Sequence, residues 1–104
     1  MIVSDLLNFV GIVKKSGNLV FGFGAVKNEF LNNKLKFILL ASDISENTEN
    51  KIRNLVKLKN DIEIVKIKFN KSDIEKYINK FVGIIGILDL NMVKKIKEIL
   101  LEKK

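Results

Sequence analysis

The chain contains no cysteine and no histidine. Without cysteine it has no disulfide, no thiolate nucleophile and no sulfur-ligated zinc. Without histidine it lacks the commonest general base and the commonest nitrogen metal ligand. Carboxylates and lysines remain, and none of them falls into a pattern resembling a catalytic pair. The expectation is a protein that is not an enzyme and that uses no metal and no cofactor. Proline is absent too, so long irregular loops are not expected. No apolar run is long enough to span a bilayer. Met1 to Lys15 does not read as a signal peptide, because Asp5 and Asn8 interrupt its apolar part and no basic leader precedes it. A soluble, cytoplasmic protein is expected.

What is present is a chain of 104 residues, 47% hydrophobic. That predicts one domain over residues 1–104, burying roughly two-thirds of its extended surface. The net charge of +7 suits a polyanionic partner. Arg53 is the only arginine among 19 basic residues, and isoleucine and asparagine are abundant. A coding sequence rich in A and T produces the same bias, so the charge permits such a partner without identifying it.

Periodicity sets out the elements in order. Ser4 to Lys15 reads as an amphipathic helix with Leu6, Leu7, Val10 and Val13 inward, Ser4 as cap and Gly17 as stop. Asn18 to Phe21 is a short strand. Gly22-Phe23-Gly24 then turns into a helix from about Gly24 to Asn32, with Val26, Phe30 and Leu31 on one face. Lys36 to Ala41 is a continuous apolar run, hence a central strand covered on both faces. Asp43 or Ser45 caps the next helix, spaced by Ile52, Leu55, Val56 and Lys59 and closed by Asn60-Asp61. Ile62 to Phe69 alternates, which suits a half-exposed strand near an edge. Ser72-Asp73-Ile74-Glu75 has the form of a capping box for a short helix reaching about Asn79. Phe81 to Leu88 is a buried strand, where Gly83 and Gly86 suggest a close approach. Asn91 can cap a last helix built on Val93, Ile96, Ile99 and Leu100, and Asp89 either caps it or closes a turn. One helix followed by four strand–helix units predicts the α/β class. The expected architecture is a three-layer α/β/α sandwich with a mixed four-stranded sheet.

The turn at Gly22-Phe23-Gly24 is the leading place to bind through the backbone, since a helix N-terminus leaves N–H groups without partners. The same glycines can equally be punctuation. With Asp43 they suggest a dinucleotide fingerprint, but Lys27 stands where the third glycine should fall. Lys15-Ser16-Gly17 has the wrong order for a nucleotide-phosphate loop. Asp43, Glu46 and Glu49 could gather around a hard cation, although acids at a helix start serve more simply as caps and dipole partners.

From about Leu6 to Leu100 the sequence resembles the ribosomal protein L-seven-Ae family of kink-turn RNA-binding proteins, closest to its small bacterial YlxQ-like branch. Gly22 after the first strand carries the resemblance, with the run from Phe37 through Leu39 to Thr48 and the last strand leading into Asp89 and a basic helix. The family's RNA-reading helix opens with glycine, any residue, asparagine, glutamate, two residues, then lysine. Here Gly22 is kept, Gly24 stands for asparagine, Ala25 for glutamate and Asn28 for lysine, with Lys27 about 100° away around the helix. The asparagine and glutamate normally contact guanine edges, so the resemblance implies backbone contacts and a phosphate role for Lys27 in their place. The family's second contact is an apolar loop that packs on a flipped-out base. It maps to Asn79-Lys80-Phe81-Val82, shortened, with Glu75 and Asn79 in place of glycines usual in the family.

The reading is a non-catalytic RNA-binding protein for kinked, structured RNA, with ribosomal RNA or a ribosome-associated role among the candidates. Gly22, Phe23, Gly24, Lys27 and Asn28 would present the helix end. Lys14, Lys15, Lys34 and Lys36 would neutralise phosphates, and Phe81 or Val82 would stack or wedge. The alternative is a protein-interaction or assembly module on the same fold, with a partner or a second copy meeting Phe21 and Phe23. A third reading, a small-nucleotide site at Gly22 to Gly24, predicts thermal stabilisation by a nucleotide.

Overall fold

The computed structural model describes residues 5–59 and 62–102. The order is α1 (Asp5–Lys15), β1 (Leu19–Phe21), α2 (Phe23–Leu31), β2 (Phe37–Leu40), α3 (Glu46–Val56), β3 (Glu63–Lys66), α4 (Lys71–Ile78), β4 (Ile84–Ile87) and α5 (Leu90–Glu102). The sheet runs β1-β4-β2-β3. β4 is antiparallel to both β1 and β2, while β2 and β3 are parallel, so the sheet is mixed as the element order requires. The cap expected from Ser4 and the closure at Asn60-Asp61 lie outside the described residues.

Alternation across the pleat divides the core in two. Phe37 and Leu39 of β2, with Ile85 and Ile87 of β4, face one side. There they meet Leu6, Leu7, Val10 and Val13 of α1, Ile74 and Ile78 of α4, and Val93, Ile96 and Ile99 of α5. Ile38 and Leu40, with Ile84, face the other side and meet Val26 and Phe30 of α2 and Ile52 and Val56 of α3. All four residues of β2 are buried, which is why its sequence is a continuous apolar run. Gly86 has a steric reason: a Cβ there would lie 2.7 Å from Leu35 Cδ1 and 3.0 Å from Val20 Cγ2. Gly17 ends α1 at φ 83°, the left-handed stop expected of it.

Several boundaries differ from expectation for local reasons. Leu31 is 52% exposed, because five residues on from Val26 is about 140° off its face. α3 ends at Val56, and Lys59 lies beyond it, its ammonium donating to Phe30 O. β3 and β4 are each shorter than the apolar runs that suggested them. The capping box of α4 is formed by Asn70 and Asp73, not by Ser72 and Glu75. Asn70 Oδ1 accepts from Asp73 N at 2.8 Å, and Asp73 Oδ2 accepts from Asn70 N at 3.1 Å. Asp89, rather than Asn91, caps α5 by accepting from the N–H groups of Asn91 and Met92.

Candidate functional site

Gly22 joins β1 to α2 in one residue. Its φ of 89° and ψ of 153° lie where glycine alone is comfortable. Its N–H donates to Ile84 O at 3.0 Å, and its carbonyl accepts from Val26 N at 3.1 Å. The strand therefore stays paired to its last residue while the helix begins at the next. Gly22 has no side chain to cap with, and no acid sits in the first turn of α2. The leading N–H groups of α2 keep their positive character.

The N-terminus of α3 lies beside it and is built differently. Ser45 Oγ accepts from Thr48 N at 3.1 Å and donates to Thr48 Oγ1 at 2.9 Å. Glu46 and Glu49 stand in its first turn.

Between the two ends is a groove of about 250 Å³. Gly22 and Phe23 form one wall, Ile44, Ser45 and Thr48 another, and Lys71 with the run Phe81 to Ile84 the third. Phe81 is 60% exposed, although it is a large apolar side chain. The Lys71 ammonium stands 6.0 Å from the centroid of its ring. Lys80, from the same loop, stands 5.8 Å from the Phe21 ring. Asp43 accepts from Lys71 N at 3.0 Å, tying the loop after β2 to the start of α4.

Of the residues expected from sequence, Gly22, Phe23, Phe81 and Val82 come together in this groove. Gly24, Lys27 and Asn28 are exposed on α2 next to it without lining it. Lys14 and Lys15 end α1, in the layer on the opposite face of the sheet from α2. The Lys14 ammonium is bonded to Ile78 O at 2.8 Å, at the end of α4. Lys34 and Lys36 precede β2 at its Phe37–Ile87 end, whereas the groove adjoins its Leu40–Ile84 end. Lys36 lines a second hollow of about 240 Å³ there, shared with Lys59, Leu35 and Leu90. Phe21 packs against the first core half and Phe23 against the second, so the two rings do not form one patch.

Sequence reasoning missed Ile44, Ser45, Thr48 and Lys71 as groove residues. The signal for Lys71 was Asn70-x-x-Asp73, which sets Lys71 at the first helical position of α4.

Two of the three acids suggested as a cation cluster are otherwise engaged. Asp43 holds Lys71 N, and Glu49 pairs with Arg53 at 2.9 Å and Lys66 at 3.1 Å. The hydrogen bond from Lys66, then that from Arg53, lowers the Glu49 carboxyl below its ordinary 4.5. Among the described residues no group of three or more acids is arranged to hold a metal. No helix among them is long and apolar enough to cross a membrane.

Known proteins share this sequence pattern and this shape. Residues 5–97 match the Ribosomal protein L7Ae/L30e/S12e/Gadd45 family. A protein of Enterococcus faecium named RNA-binding protein YlxQ is 28% identical over 94 residues, which is 90% of this chain and 89% of that one. A solved Bacillus halodurans protein, described as having unknown function, superposes with a TM-score of 0.84 at 18% identity, over 94% of this chain and 98% of that one. The Giardia lamblia 15.5kD RNA binding protein superposes with a TM-score of 0.69 at 16% identity, over 93% and 82%.

Proposed function

Because the chain belongs to the Ribosomal protein L7Ae/L30e/S12e/Gadd45 family, we propose that it is a non-catalytic RNA-binding protein that takes kinked, kink-turn-like RNA at the groove. One observation carries the reading. The open end of α2 faces an exposed aromatic ring and the lysine ammonium beside that ring across a groove. Phosphate oxygens suit the open N–H groups, and an unstacked base suits Phe81 and Val82. The relative named as an RNA-binding protein, aligned over most of both chains, supports the same partner. The net charge of +7 supports it as well.

In this reading Gly22, Phe23 and Gly24 present the helix end, and Lys27, one turn along, meets a neighbouring phosphate. Asn28 stands beside Lys27 on the exposed face of α2. Lys34 and Lys36 are far enough from the groove to act on a different part of the RNA. Lys15, and Lys14 with its ammonium bonded to Ile78 O, add charge from the layer on the opposite face. Ribosomal RNA kinks are the first natural targets to try, and the whole chain acts as one cytoplasmic domain.

Binding of a labelled standard kink-turn RNA, against a straight duplex and at two salt concentrations, tests this. The expected result is selective binding that falls steeply with salt. Equal, weak binding to both RNAs would mean charge alone. No binding would favour a protein partner, although the separation of Phe21 from Phe23 removes the patch that reading relied on.

A further inference from the structure

The hollow at the far end of the sheet from the groove, about 240 Å³, forms where α2 turns into β2. The turn uses up its own backbone groups. Asn33 N donates to Phe30 O at 3.1 Å, Lys34 N to Glu29 O at 2.9 Å and Lys36 N to Ile87 O at 2.9 Å. The Lys59 ammonium closes one wall. It donates to Phe30 O at 2.9 Å and to Asn33 Oδ1, and stands 4.9 Å from the centroid of the Phe30 ring. What remains for an occupant is aliphatic surface on Leu35, Ile62 and Leu90, with the Lys36 side chain beside it.

This hollow differs from the groove in what it can hold. Its ring, Phe30, is 1% exposed, so no aromatic face is open to a base. Leu90 on its rim is 59% exposed, and Leu31 and Leu58, at the same end of the sheet, are exposed as well. Lys36 is half-buried, and its ammonium has no partner among the described residues. No acid among the described residues lines the hollow. A lone exposed leucine is ordinary. Here one stands beside an unpaired cation, and the combination selects the occupant. An aliphatic side chain suits the first and a carboxylate the second. A second copy of the chain fits poorly, since it would bring its own lysines and a net charge of +7. The volume is below the roughly 300–1,000 Å³ of a site for a drug-sized molecule, so the occupant inserts a side chain and lies across the rim.

We infer that the hollow docks an acidic peptide segment of a protein partner, an aliphatic side chain entering between Leu35, Ile62 and Leu90 and a neighbouring carboxylate meeting Lys36. This goes beyond the RNA reading and does not depend on it, because the length of β2 sets the two sites about 10 Å or more apart. It gives Lys36 a carboxylate at its own end of the sheet, where the reading above left it for a distant part of the RNA. One chain can then hold an RNA and a protein together.

The test begins with a random library of linear peptides displayed on phage and selected on the wild-type protein. Enriched sequences should join an aliphatic residue to one or more carboxylates. A synthetic peptide of the enriched sequence should lose about tenfold or more in affinity on Leu90→Glu and about threefold on Lys36→Gln. It should shift the amide NMR signals of Leu35, Lys36 and Leu90 and leave those of Gly22 and Phe81 in place. Leu90 is exposed at the first position of α5, where an acid suits the helix, so Leu90→Glu should fold and keep its kink-turn RNA affinity within about twofold. Lys36→Gln carries the comparison if it does not fold. No enrichment, a basic or aromatic consensus, or peptides that bind both variants as tightly as wild type would overturn the inference. Displacement of the peptide by kink-turn RNA would also overturn it, by making the hollow part of the RNA site. A wild-type protein that binds the peptide and no RNA would remove the RNA reading and leave this inference standing.

Discussion

Two helix N-termini meet at one groove and are finished in opposite ways. α3 begins with Ser45, which satisfies Thr48 N, and carries Glu46 and Glu49 in its first turn. α2 begins with Gly22 and carries neither a capping side chain nor an acid. The first end is closed by its own residues, and its positive field is neutralised from within. The second is left for something else to satisfy. The difference separates an end built for stability from an end kept available.

The largest expected effect comes from removing what makes the open end possible. Gly22→Ala forces a side chain into a backbone region that is essentially glycine's own, and should cost about 1–3 kcal/mol in urea unfolding. Next, Gly24→Asp would make α2 resemble α3. Gly24 is exposed and a Cβ there meets nothing within 4 Å, so the carboxylate is accommodated. Stability should rise by about 0.3–1 kcal/mol while RNA affinity falls about tenfold, a divergence that calorimetry and anisotropy would show together. If both rise, the open end is not where RNA binds. The reverse change, Ser45→Ala, opens α3 and should cost about 1 kcal/mol of stability, with RNA affinity held within about twofold.

The smallest effect concerns Glu49. Its carboxyl is lowered in the folded protein, so its stabilisation is present above the ordinary 4.5 and is lost as pH falls through the lowered value. The gap in melting temperature between wild type and Glu49→Gln should therefore close as pH is lowered below the ordinary 4.5. A gap that is flat across that window would mean that the pairs to Lys66 and Arg53 contribute nothing.

The fold was legible because its signals are local and repeated. The run Phe37 to Ala41 suggests a strand covered twice, and Gly86 marks a contact too close for any Cβ. Cap positions were less legible because two choices of the right residue types stood side by side. Asn70 with Asp73 and Ser72 with Glu75 both fit the pattern, and the helix formed on the first. The groove was half legible. Gly22-Phe23 stands out as a turn and Phe81-Val82 as an apolar pair, of which Phe81 is exposed and Val82 half-buried. Asn70-x-x-Asp73 places Lys71 at the start of α4, but the contact with Asp43 that ties that start to the loop after β2 is contained in no local pattern. The separation of Lys34 and Lys36 from the groove is set by the antiparallel register of β2 and β4, which no local pattern shows.

That register also fixes when the site can exist. β4 lies between β1 and β2, yet it follows β1, β2 and β3 in the chain. Until it leaves the ribosome, β1 has no strand to pair with, Gly22 has no Ile84 carbonyl to bond, and the groove lacks the wall that begins at Phe81. The early strands must wait through long sequence separations before they close, which makes assembly slow relative to a helical bundle. A chain cut before Ile84 lacks the strand that joins β1 to β2 and the carbonyl that Gly22 bonds.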